Sequence, residues 1–283
     1  MCQGHDHDHE HHHHHHHEES CSSSGKGVKI AITGKGGVGK TTLAALLARS
    51  FADHGGRVLA VDADPDANLA TALGISAAAL TEVQPISRMK DLAKERTGAQ
   101  EGYGSFFKLN PQVNDLPDTF SVEHDGVRLL QMGTVEQGGT GCVCPEHTLV
   151  KRLMKHLLLE RDDVVIMDME AGIEHLGRGT AESVDGVIVV VEPGQRSVQT
   201  AQQITRLASD IGIRKVFVVG SKVQNEKDRE FIEAALPEHE LLGFISYSDE
   251  IKRADMGEGS VSGQSAREAC AIRERLMAQV VAG

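Results

Sequence analysis

Short apolar runs alternate along this chain with longer stretches whose apolar positions recur every three or four residues. The runs Val28–Thr33, Arg57–Asp62, Val127–Met132, Val164–Met167, Val187–Val191, Lys215–Gly220 and Leu241–Ile245 read as strands, most of them buried. Leu43–Phe51, Thr148–Glu160, Ser197–Ile211 and Ser265–Val281 have helical spacing, and Met89–Arg96 reads as a shorter helix. Strand–helix alternation predicts an α/β fold, a doubly wound and mostly parallel sheet with its ligand at the carboxyl ends of the strands. Residues 75–126 break the rhythm with Gly102, Gly104, Pro111 and Pro117, and read as an irregular insertion, a lid or a partner surface. The expected organisation is therefore an unstructured segment over 1–27 and one domain over 28–283.

The first strand-to-helix turn carries Gly34–Thr42, GKGGVGKTT. The pattern G-x-x-x-x-G-K-T in that setting is a P-loop, so the fold expected is that of a P-loop NTPase. Gly34, Gly36, Gly37 and Gly39 let the backbone curl until successive N–H groups point inward, around Val38, and the helix N-terminus adds partial positive charge. Lys40 would reach the β- and γ-phosphates of a triphosphate, the Thr41 hydroxyl would ligate Mg2+, and Thr42 completes the nucleotide-binding loop with Lys35. Three carboxylates follow the second strand in DADPDANL. Asp62 is a candidate for the magnesium shell and Asp64 for positioning or deprotonating the attacking water, with that division of roles open. Asp66 is expected to face solvent, and Asn68 to cap the next helix or touch the metal's water shell. Asp168, delivered by the Val164–Met167 strand, stands where a carboxylate holds the magnesium's water shell. Gly172 would let the backbone approach the γ-phosphate as a second switch, carrying Glu170, Glu174 and His175.

Charge and cysteine usage narrow the function. A net charge of −12 over 283 residues argues against unaided binding to nucleic acid or acidic lipid, so neither nucleic acid nor membrane is an expected partner. The longest apolar run is too short to span a bilayer and no signal-peptide segment opens the chain, which reads as cytoplasmic. Residues 1–24 hold ten histidines between His5 and His17, interleaved with Asp6, Asp8 and Glu10. Such density binds nickel, zinc or copper without fixed geometry; it is either a purification tag or a native metal-buffering tail, and the acidic interleaving favours the latter. Cys142 and Cys144 would lie on one side of an extended segment, about 7 Å apart. Two thiolates are half a tetrahedral site, which a two-fold axis would complete with the same pair from a second subunit; His147 is the alternative third ligand. Cys270 reads as an inert core thiol, and Cys2 and Cys21 belong to the tail.

Lys35, a second lysine directly after the first glycine, makes the loop resemble the deviant Walker A motif of the MinD/ParA/ArsA class. Together with DADPDANL, the CVC pair and DMEAGIEHLGRGT, it makes residues 28–280 resemble the CooC-type nickel-insertion ATPases that mature carbon monoxide dehydrogenase. The resemblance implies ATP hydrolysis to ADP with Lys35, Lys40 and Asp64 as catalytic residues. It also implies a homodimer in which Lys35 reaches the partner's phosphates, Ni2+ or Zn2+ between the two CVC motifs, and carbon monoxide dehydrogenase as client. A relative serving acetyl-CoA synthase shares much of the pattern. The class usually has Asn-Lys after the strand that corresponds to Lys215–Gly220, where this chain has Ser221-Lys222, so Lys222 is retained as a nucleotide-binding residue while the adenine-edge contact weakens. Ser246 replaces a proline of the base loop. A ParA/MinD-like positioning ATPase is disfavoured, because the last helix mixes Arg267, Arg273 and Arg275 with Glu268 and Glu274. A reductase with a bridging iron–sulfur cluster is disfavoured by the C-x-C spacing.

Overall fold

The computed structural model describes residues 27–76, 78–80, 84–99, 106–133, 144–170, 172–173, 176, 178–181, 183–256, 261 and 263–281. The first half of the chain forms β1 (Lys29–Gly34), α1 (Lys40–Asp53), β2 (Val58–Ala63), α2 (Leu69–Ala72), α3 (Lys90–Thr97), α4 (Leu116–Thr119), β3 (Val122–His124) and β4 (Val127–Gln131). The second half forms α5 (Pro145–Leu159), β5 (Val164–Met169), α6 (Arg178–Ala181), β6 (Gly186–Val191), α7 (Gln195–Ile211), β7 (Val216–Val223), α8 (Glu226–Ala235), β8 (Glu240–Ser246), α9 (Asp249–Asp255) and α10 (Gly263–Val281). Among the described residues the strands make one eight-stranded sheet, ordered β3-β4-β2-β5-β1-β6-β7-β8. All neighbours are parallel except β3, which runs antiparallel to β4 at one edge. The expected α/β, mostly parallel architecture is the one observed.

Alternate residues of β1 explain why its run is apolar without alternation. Ile30 and Ile32 pack on one face with Leu43 and Leu47 of α1 and Ile272 and Leu276 of α10. Ala31, between them, joins Leu153 and Leu157 of α5 and Val198 of α7 on the other. Helices cover both sides, so neither set of side chains meets water. The four longer helices, α1, α5, α7 and α10, start earlier than their apolar spacing suggests. α5 opens at Pro145, whose missing N–H costs nothing in the first turn, and the Cys144 side chain caps it by accepting from the His147 N–H at 3.4 Å. Within 75–126, α3, α4 and the edge strand β3 are formed.

Opposite the strand ends that carry the phosphate loop lies a buried ion cluster. Asp163, fully buried just before β5, accepts from Arg57 Nε at 2.5 Å, from Arg128 Nη2 at 2.7 Å and from Arg161 Nε. Lys29, also buried, donates through Nζ to the Asp163 carbonyl, and Asp118 accepts from Arg128 and Arg161 on the outer side. Burial by itself would raise the Asp163 pKa, but hydrogen bonds from Arg57 and Arg161 outweigh it and hold the carboxyl below its usual range. A depressed carboxyl pKa stabilises the fold above the unfolded value, and that stabilisation disappears as pH falls through the folded value. Asp163→Asn, which removes the buried charge shared by Arg57, Arg128 and Arg161 and leaves Asp118 to face the last two from the outer side, is expected to cost about 3 kcal/mol at pH 7. Urea unfolding should show the gap to wild type closing as pH falls below about 4; a variant with the wild-type midpoint at pH 7 would contradict this account.

Candidate functional site

β1 delivers the phosphate loop and α1 receives it. A Cβ on Gly34 would stand 2.5 Å from the Val190 carbonyl of β6, and Gly39 has φ +96 at the N-cap of α1, so side chains are excluded at both. Gly39 offers no capping side chain, leaving the first N–H groups of this 14-residue helix to point into a cleft of about 880 Å3. Gly36, Gly37, Val38, Gly39, Lys40, Thr41 and Thr42 line it, with Asp64, Asp66 and Asn68 after β2, Glu170 after β5 and Lys222 at the end of β7. Gly34, Asp62 and Asp168 lie at the ends of β1, β2 and β5, and Asp62 and Asp168 are direct partners in the parallel ladder.

The three carboxylates differ sharply in surroundings. Asp62 is buried, and its two oxygens accept from the Asp64 N–H at 3.3 Å and the Leu69 N–H at 3.0 Å. Burial raises its pKa to about 6, and these two hydrogen bonds restrain the rise. Asp168 is fully buried and neither oxygen accepts a hydrogen bond. Its pKa is pushed up to about 7, first by burial; the Thr41 hydroxyl is near enough to temper the shift without meeting hydrogen-bond geometry, Asp62 adds to it and Lys40 opposes it. Asp64 is half-buried on the cleft wall, and Asp66 is exposed as expected. An oxygen-only donor set with an unpartnered buried carboxylate fits a hard divalent cation.

Several expectations need correction. Asn68 makes no capping bond; Asp62 takes over that work at the start of α2 through Leu69 N–H. Cys270 is half-buried, 3.9 Å from His54 Nε2 and 3.8 Å from Arg273 Nη2 and Glu274 Oε1, so it is not a core thiol. The buried positions of α10 are Ser265, Ala269, Ile272 and Leu276; Cys270, a step of about 100° beyond Ala269, falls off that stripe. Ser221 is buried and its hydroxyl donates to the Val38 carbonyl at 2.6 Å, tying β7 to the phosphate loop. Ser246 is bracketed by Glu268 of α10, which accepts its N–H at 2.9 Å and its hydroxyl at 2.6 Å, giving this loop an anchor where a proline would give stiffness. Cys142, Glu174, His175 and the His-rich tail lie outside the described residues. His147 sits in the first turn of α5, its N–H on the Cys144 sulfur.

Three residues escaped the sequence reading. Thr33, buried in β1, accepts from the Gly172 N–H at 3.1 Å, while the Glu170 and Gly172 carbonyls each lie 3.0 Å from its hydroxyl; Gly172 itself has φ +145. Glu192, the residue after β6, pairs with both Lys35 and Lys222. Tyr247, half-exposed, lines the far end of the cleft with Ile251 and Lys252 of α9. Glu192 and Tyr247 follow the carboxyl ends of parallel strands, the position that should have marked them.

A parallel sheet with a P-loop, paired strand-end carboxylates and a helix N-terminus facing one cleft defines a nucleotide-binding domain. Residues 29–261 match the CobQ/CobB/MinD/ParA nucleotide binding domain, and the chain belongs to that family. Among individual relatives, the carbon monoxide dehydrogenase accessory protein CooC of Rhodospirillum rubrum is 53% identical over 228 residues, 81% of this chain and 87% of that protein. An uncharacterised ATP-binding protein of Methanocaldococcus jannaschii is 47% identical over 81% of this chain and 88% of its own length. Of solved structures, a chain of the MinC:MinD cell division protein complex of Aquifex aeolicus superposes with TM-score 0.65 at 22% identity, covering 88% of this chain and 95% of that one. The cell division ATPase MinD of Pyrococcus furiosus gives TM-score 0.62 at 20% identity over 88% and 98%. At these identities the structural matches speak for the fold alone.

Proposed function

We propose that this protein is an ATP-hydrolysing metallochaperone that works as a homodimer and delivers nickel to carbon monoxide dehydrogenase during its maturation. The observation that carries the hydrolytic part is Asp168, a buried carboxylate with no hydrogen-bond partner, laddered to Asp62 beside the N-terminus of α1. Thr41, Asp62 and Asp168 would hold magnesium and its water shell, and bound magnesium would neutralise charge building on the β- and γ-phosphates. Lys40 and the first amides of α1 bind those phosphates, and Lys35 adds charge from the facing subunit. Asp64, on the cleft wall, orients the attacking water and takes its proton as the β–γ bridge breaks and ADP leaves. Gly172, tethered to Thr33, reports the loss of the γ-phosphate to the rest of the chain.

Nickel is the cargo, taken by Cys142 and Cys144 of two copies as four thiolates. Similarity to an accessory protein of carbon monoxide dehydrogenase supports that client. The testing measurement is equilibrium dialysis against nickel with and without ATP, paired with mass by light scattering, on the whole chain and on protein lacking residues 1–24. We expect one tight nickel per dimer, sensitive to ATP and lost in Cys142→Ser/Cys144→Ser. Nickel held only by protein that keeps its tail, with a serine variant that dimerises and hydrolyses ATP normally, would overturn the cysteine site and the insertion role with it.

A further inference from the structure

Glu192 stands where β6 ends and α7 begins, and both hold it. Its N–H donates to the Ser197 hydroxyl at 3.1 Å, and Ser197 is buried in the first turn of α7. Its carboxylate is shared between two cations: Oε1 accepts from Lys35 Nζ at 3.3 Å and Oε2 lies 3.5 Å from Lys222 Nζ. Lys222 also donates to the Gly37 carbonyl of the phosphate loop. It gets there through a backbone φ of +55, in the left-handed region a lysine adopts only under strain, at a register break between β7 and β8. Lys35, Glu192 and Lys222 therefore form a charged strap beside the phosphate loop, two cations suited to a polyphosphate and one carboxylate of the protein's own holding both.

We propose that Glu192 is an internal competitor for the phosphates. In the nucleotide-free protein it pairs with Lys35 and Lys222 at once; bound polyphosphate, in this subunit's cleft for Lys222 and in the facing subunit's for Lys35, must draw those cations away from it and tolerate its negative charge nearby. Glu192 thereby sets the affinity of the site, and opposes a triphosphate more than a diphosphate because the former brings more charge. The strap is built to yield, since Lys35 and Lys222 are 36% and 46% exposed and Glu192 is 27% exposed, which keeps each pair weak. The proposal rests on the nucleotide reading above.

The test is calorimetric titration of ADP and of AMP-PNP, each with magnesium, into whole wild-type protein and Glu192→Gln at low and high salt. Removing one charge that faces two exposed lysines should tighten AMP-PNP binding roughly three- to thirty-fold. ADP should gain less, and both gains should shrink at high salt as screening takes over. A merely structural role for Glu192 would not produce a gain, nor one that depends on ligand charge and salt. Equal or weaker affinity in a variant that still binds nucleotide would overturn the role of Glu192 alone. If neither protein bound nucleotide, the nucleotide reading itself would fall, and this proposal with it.

Discussion

Asp64→Asn protein is expected to keep its nucleotide and hydrolyse it about 10²–10⁴ times more slowly, the range a positioned general base contributes. The choice of Asp64 over Asp62 follows from their surroundings. Both oxygens of Asp62 are engaged by backbone N–H groups, and losing them would loosen the start of α2. Asp64 is half-buried on the cleft wall, and among the described residues its Oδ1 accepts only the local Asp66 N–H at 3.0 Å. Single-turnover hydrolysis with a separate measurement of nucleotide affinity distinguishes the two effects. Asp66→Asn, on the same wall but exposed, is the control expected to behave as wild type. A turnover loss shared by Asp66→Asn, or an Asp64→Asn rate within threefold of wild type, would remove Asp64 from the chemistry.

The second large effect runs in opposite directions with and without magnesium. Asp168 has its pKa raised to about 7 by burial, so in metal-free protein its ionisation opposes folding. For an acid raised above its unfolded value near 4, the stability it contributes is full at low pH and declines as pH climbs from about 4 to about 7. A shift of about three pH units corresponds to roughly 4 kcal/mol at pH 8. Asp168→Asn carries no charge to bury, and metal-free Asp168→Asn should therefore unfold later than wild type at pH 8, with the two converging near pH 4. Adding magnesium and ADP should raise the wild-type midpoint far more than that of the variant, and hydrolysis in the variant should fall about a hundredfold or more. Thermal melts across pH, with and without magnesium, read both arms. A metal-free variant less stable than wild type at pH 8 would show that the Asp168 charge is compensated within the protein and not by a bound metal ion.

The features legible from sequence are those whose cause is local or periodic. The central strands could be read because both faces of the sheet are covered, which makes runs such as Val187–Val191 apolar at every position. The phosphate loop could be read because its glycines, lysine and threonine are contiguous. Asp62 and Asp168 were legible one at a time, as carboxylates at strand ends, but not as neighbours in a ladder joining residues 106 positions apart. Glu192 and Lys35 are separated by 157 positions, and their pairing exists only through the order of the strands. Cys270 was misread because its apolar neighbours fit a helical stripe that in fact passes to one side of it. Capping was misassigned for a related reason: Asn68 is the usual residue type at the usual place, yet its side chain makes no capping bond, and the first N–H of α2, Leu69, is satisfied by a buried aspartate from the preceding strand.

β1 lies in the middle of the sheet, between β5 and β6. On a ribosome this means that the strand carrying the phosphate loop is made well before the strands that flank it, which finish only with Met169 and Val191. At about 5–20 residues per second, roughly 8–30 s pass before Gly34 has both neighbours. Until Val191 is made the glycine-rich segment lacks the β6 wall against which Gly34 packs, and a nascent chain has no complete cleft to offer. A nucleotide therefore cannot template early folding of this protein, and meets a whole cleft only after β7 and β8 have supplied Lys222 and Tyr247, so it acts by stabilising what has already closed.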